Sequence, residues 1–153
     1  METLSLETRL DQGGLDASLA ALYGDVDAAR SRCAKALDGF RRTFGAPAAV
    51  LFSAPGRTEL GGNHTDHQRG RVLAASVDLD ILAAAAPNHS GVIRIQSEGY
   101  PLLTVDLGRR EPLPEEENTS AALVRGVAAR MAELGCPLEK AGLDAWLTSS
   151  VPG

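Results

Sequence analysis

The chain has 153 residues, 44% of them apolar, and a formal net charge of −5, the size and composition of one globular domain with room for a real core. That charge, with no basic run to offset it, argues against a nucleic-acid surface, and the longest apolar run, residues 81–86, is far too short to span a bilayer. The opening Met1-Glu-Thr-Leu-Ser-Leu-Glu lacks the basic and apolar regions of a signal peptide, and Cys33 and Cys136 are the only cysteines, so a reduced, cytoplasmic chain without a membrane partner is expected.

Residues 16–23 read as a short helix closed by Gly24. Asp25 or Asp27 then caps a longer helix in which Val26, Ala29, Cys33, Leu37, Phe40 and Phe44 form one apolar stripe, ended by Gly45 and Pro47. Cys33 on that stripe is a core thiol. Residues 48–53 form a first strand that breaks at Pro55-Gly56. Two further strands are expected at 72–77 and 80–86, although the alanines of the second suit a helix as well. After a turn at 87–91, which leaves His89 solvated, residues 92–97 and 103–107 alternate apolar and polar as an antiparallel hairpin. The Glu115-Glu116-Glu117 run reads as a solvated loop rather than a metal site. It precedes a helix beginning near 118–120 whose Leu123, Val127, Met131 and Leu134 share a face, with Gly135 and Pro137 as the stop. Residues 142–149 are a last strand, with Trp146 in the core. Strands in runs with helices to one side predict an α+β fold with a mixed or antiparallel sheet.

The most unusual stretch is Ala54-Pro-Gly-Arg-Thr-Glu-Leu-Gly-Gly-Asn-His-Thr-Asp-His-Gln-Arg-Gly70, which holds four glycines, two histidines, two arginines, an aspartate, a glutamate and an asparagine. Polar side chains on a glycine-rich loop between apolar strands have the usual geometry of a small-molecule site. His64-x-x-His67 with Asp66 suggests metal ligation, but no spacing supplies the remaining ligands. Ser53 and Thr58 are available hydroxyls, but no strand–Gly-x-Ser-x-Gly–helix context activates one. Polyol recognition fits best. Asp66 accepts hydroxyl protons, Asn63 donates and accepts, His64 does either, and Arg57 adds a fixed positive charge. From the residues alone a second reading stands beside it, with Asp66, Arg57 and Glu59 pairing to brace the loop.

Ala54-Pro-Gly-Arg57-x-x-x-x-Gly62-x-His64-Thr-Asp66-x-x-x-Gly70-x-Val-Leu73 resembles the galactokinase signature, within the larger family of small-molecule kinases that unites galactokinase, homoserine, mevalonate and phosphomevalonate kinases. Leu123-Val-Arg-Gly-Val127 is similar to the family's Tyr-Val-(Lys/Arg)-Gly-Val helix, and residues 142–153 resemble the strand leading into its glycine- and serine-rich ATP loop. The resemblance implies the ribosomal protein S5 domain 2-like fold of these kinases' N-terminal domain. It implies galactokinase activity, the ATP-dependent phosphorylation of galactose to galactose 1-phosphate, with galactose and ATP as small-molecule partners and Mg²⁺ as the metal. Arg57 matches the arginine that stabilises the transferring group, while Asn63, His64, Thr65 and Asp66 match the residues that hold the sugar.

Several positions depart from the family pattern. Asn63 replaces the usual Glu, which keeps hydroxyl bonding but loses a charge, and Glu59, Gly61, His67 and Ala74 also differ. Ser120 and Leu123 stand where aromatic residues associated with the adenine pocket are usual. Two further functions follow from the resemblance: phosphorylation of a related sugar such as N-acetylgalactosamine, or galactose sensing without phosphate transfer. The family's ATP loop would start near Gly153, with the catalytic aspartate and the metal contacts further on. The chain is therefore read as an N-terminal helical segment, 1–47, and a galactose-binding unit, 48–153, incomplete at its C-terminus. On this reading it is a monomer, inactive as a kinase by itself.

Overall fold

In the computed structural model the described residues are 5–48, 50–62, 70–138 and 141–152. Three helices come first: α1 (Leu6–Asp11), α2 (Asp16–Tyr23) and α3 (Val26–Phe44). The side chains of Ser5 and Asp25 accept hydrogen bonds from the first turns of α1 and α3, satisfying N–H groups that the helix itself cannot. Gly45, in the left-handed region, closes α3. The sequence pattern anticipates α2 and α3; α1 is too short to show a periodic stripe.

Among the described residues five strands follow, β1 (Val50–Gly61), β2 (Leu73–Pro87), β3 (Val92–Ser97), β4 (Leu103–Asp106) and β5 (Leu143–Ser149), with α4 (Ser120–Glu133) between the last two. They form one sheet in the order β1-β2-β5-β3-β4. Only the β3–β5 pairing is parallel; β1–β2, β2–β5 and β3–β4 are antiparallel. The expected α+β class with a mixed sheet is thus what the chain adopts.

Three local expectations are corrected. β1 does not break at Pro55-Gly56 but runs on to Gly61, so Arg57 stands in a strand. Proline is tolerated because β1 is the edge strand and its missing N–H interrupts no second ladder. The two strands expected at 72–77 and 80–86 are one strand, β2, with an irregularity in the middle: Pro55 pairs with Asp80 and Arg57 with Ser76, so Gly56 faces the three residues 77–79. The helices occupy both faces of the sheet. Trp146, Leu82 and Ala84 meet α3 in the main core with Phe40, Leu37 and Cys33, whereas Ile93, Ile95 and Leu143, one residue out of phase, face α4. A strand such as β5, Leu-Asp-Ala-Trp-Leu-Thr-Ser, offers apolar side chains to both faces, so the pattern alone cannot assign a helix to one of them.

Helix α4 is anchored by a polar residue. Arg125, 5% exposed, makes a two-pronged pair with Glu116 at 2.6 and 2.7 Å and donates to the carbonyls of Asp106 (3.0 Å) and Arg109. Glu116, expected to be solvated, is thereby the partner of a buried guanidinium that pulls its carboxyl below the usual range.

Candidate functional site

The β1–β2 hairpin extends beyond the sheet. β5 pairs with β2 only from Ile81 to Pro87, so residues 73–76 of β2 and 57–61 of β1 form a two-stranded arm. Gly62 closes its far end. It has φ +95°, and a Cβ there would lie 2.3 Å from the Arg71 carbonyl oxygen, so only glycine lets the two backbones approach this closely. Asn63, His64, Thr65, Asp66 and His67, the proposed sugar ligands and the alternative metal ligands, lie outside the described residues.

Arg57 stands at the base of the arm. With Ala54, Pro55, Gly56, Glu59, Ile81 and Val151 it lines an open cleft of about 500 Å³. The end of β5 meets the arm here: a Cβ on Gly56 would be 3.0 Å from a Val151 methyl and 3.1 Å from a Val77 methyl. The fold therefore brings together Arg57 and the residues just after β5, two stretches that the sequence places almost a hundred residues apart.

Behind this cleft lies a polar knot that the sequence reading did not find. Asp80, 6% exposed, is the first β2 residue after the irregularity at 77–79. Its carboxylate accepts hydrogen bonds from Arg32 of α3, from the Tyr23 hydroxyl at the end of α2 (2.8 Å) and from the Ser53 hydroxyl of β1 (2.5 Å). Its carbonyl oxygen receives an Arg32 N–H (3.1 Å) and the Ser150 N–H (3.0 Å), and its own N–H donates to Ser150 Oγ (3.0 Å). Burial alone would raise the Asp80 carboxyl, but the bonds from Ser53, Arg32 and Tyr23 outweigh it and hold the group below the usual carboxylate range. The Tyr23 hydroxyl is pushed up, first by burial, although the neighbouring Ser53 hydroxyl acts the other way. In the sequence Asp80 is only the first residue of an expected strand, and its partners come from 27, 48, 57 and 70 residues away. No local signal could reveal them. Among the described residues no three His, Cys, Asp or Glu side chains are grouped to hold a metal ion.

This sheet, with its helices and its projecting hairpin, is the fold of a class of small-molecule kinases. The structure matches a Methanococcus jannaschii mevalonate kinase with a TM-score of 0.52 at 13% identity, over 67% of this chain and 33% of that one. It matches a Lactococcus lactis galactokinase, solved in complex with galactose, with a TM-score of 0.64 at 23% identity, over 78% of this chain and 31% of the other. Within that class the sequence is more specific. A family model described as the galactokinase galactose-binding signature matches residues 38–87, from the end of α3 to the end of β2. A galactokinase from Streptomyces coelicolor is 31% identical over 113 residues, which are 74% of this chain and 29% of that protein. The chain carries the galactokinase galactose-binding signature over residues 38–87 and spans a little under a third of the length of these relatives.

Proposed function

We propose that this chain supplies the sugar-binding part of a galactokinase, with residues 48–153 as the galactose-binding unit and 1–47 as a helical segment before it. The observation that carries the reading is the placement of the signature stretch: its arm projects beyond the sheet, with Arg57 at the base in a cleft shared with the end of β5. Asn63, His64, Thr65 and Asp66 are the residues proposed to hold the sugar hydroxyls, as acceptors and donors. Arg57 then stands where a fixed planar cation can favour charge developing on a transferring phosphoryl group. Phosphoryl transfer asks mainly for such positioning and for compensating charge.

ATP and Mg²⁺ belong to the proposed activity of a whole kinase. Among the described residues the end of β5 offers no phosphate cradle, because the Ser150 N–H and hydroxyl are engaged by Asp80 and the Val151 N–H by the Ser149 hydroxyl. No catalytic step is assigned to those groups. The reading is tested by titrating galactose into the purified chain and its Asp66→Ala variant. Saturable binding that falls at least about tenfold in the variant is expected, since a site built to bond a hydroxyl discriminates strongly when a polar partner is lost. Equal affinity in both proteins would refute the clamp.

A further inference from the structure

We infer that Asp80 is a positioning residue for the site, fixing where the β1–β2 arm, and with it Arg57, stands relative to the end of β5; this rests on the sugar-binding reading above. A two-stranded arm has no second layer of its own and is marginal in isolation, so its direction must be set where it leaves the sheet. Asp80 occupies that place. It pairs with Pro55 immediately before the irregularity at 77–79, and Arg57 is the first β1 residue paired beyond it. Bulges of this kind re-aim the strand that follows and recur beside functional sites.

Four segments converge on this one residue. Ser53, four positions before Arg57, bonds to the carboxylate and ties down β1. Ser150 bonds to the Asp80 main chain from both its N–H and its hydroxyl, which ties down the chain one residue before Val151. Arg32 and Tyr23 hold the same carboxylate from α3 and α2. A carboxylate that accepts from several rigid elements at once supports a site in the way that outer hydrogen bonds orient a metal ligand: it touches no substrate, yet it decides where the contacting groups lie. The Val151 methyls against Gly56 report the geometry directly.

The test follows that contact in isotopically labelled chain by NMR. In the unaltered chain a nuclear Overhauser effect between Gly56 Hα and the Val151 methyls is expected from their closeness. Asp80→Asn keeps the shape of the side chain but presents an amide to Arg32 and the hydroxyls. Loss of the Gly56–Val151 effect is expected, with galactose affinity about tenfold weaker, the scale seen when an outer supporting residue is removed, while the effects between Trp146 and α3 and within β3–β4 persist. Where Asp80→Asn does not fold, Ser150→Ala decides the matter. It leaves the Arg32–Asp80 pair intact and cuts only the side-chain tie to the strand end, with the same two changes expected. A purely stabilising role would lower Tm without altering either readout in folded protein. A folded variant that retains the Gly56–Val151 effect, or that loses it but binds galactose as the parent does, overturns the inference. If the unaltered chain binds no galactose, the sugar reading fails instead, and the Gly56–Val151 effect alone decides whether Asp80 sets the arm.

Discussion

The two faces of the sheet are finished differently. On one, α3 lays Phe40, Leu37 and Ala36 against Trp146, Leu82 and Ala84, and Phe40 is only 1% exposed. The fit is close enough that a Cβ on Gly39 would fall 2.4 Å from the Trp146 ring. On the other, α4 buries Arg125 and Ala128 but leaves its apolar stripe outward, with Leu123 72% exposed. An open apolar groove of about 370 Å³ runs between α4 and Ile93, Ile95 and Leu143. Both helices carry an apolar stripe in sequence. An apolar stripe thus shows that a helix has a surface to cover, but it does not show what covers it.

The densely packed α3 face is the one most sensitive to substitution. Phe40→Ala removes a fully buried ring from the α3 face and is expected to cost about 3–5 kcal/mol, read by urea denaturation. A value near zero would mean that this face is not the core. An intermediate effect is expected from acid. Asp80 and Asp144 both lie on the α3 face, and in each the donors outweigh burial: Ser53, Arg32 and Tyr23 for Asp80, Arg94 and Asn88 for Asp144. Their folded pKa values lie below the unfolded value of about 3.9, so their contribution is complete above that pH and is lost as pH falls through the depressed folded values. Tm should therefore drop as pH falls below about 4, and drop less steeply in Asp144→Asn; identical acid profiles would contradict the assignment. At the small end, Leu123→Ser on the open face should change stability by no more than about 0.5 kcal/mol, since it removes no buried contact. A loss comparable to that of Phe40→Ala would show that α4 is covered in solution.

Much of this architecture is legible in the sequence where the signal is local. Helix α3 follows from Asp25, the stripe from Val26 to Phe44, and Gly45; the β3–β4 hairpin follows from its alternation. The polar loop stands out by composition, and its resemblance to the galactokinase signature agrees with the family match over residues 38–87. What escapes is non-local. Pro55 reads as a strand breaker and Asp80 as the start of a strand, yet the two face each other inside one β1–β2 ladder, the first tolerated at an edge and the second held by Arg32 from 48 residues away. Glu116 likewise looks like a solvated charge until Arg125 folds back onto it. Hydrophobic periodicity records which residues leave water; it carries no record of which distant donor meets a buried carboxylate.

If the galactokinase-like arm of this chain recognises galactose, an amide-resolved NMR titration of the chain with galactose will reveal it. Saturable shifts should cluster on Gly56, Arg57, Gly62 and Gly70, around the base and tip of the arm, with α3 and α4 unmoved and with glucose, the C4 epimer, giving weaker shifts. No saturable shift with galactose, or shifts confined to the α4 groove, would contradict it.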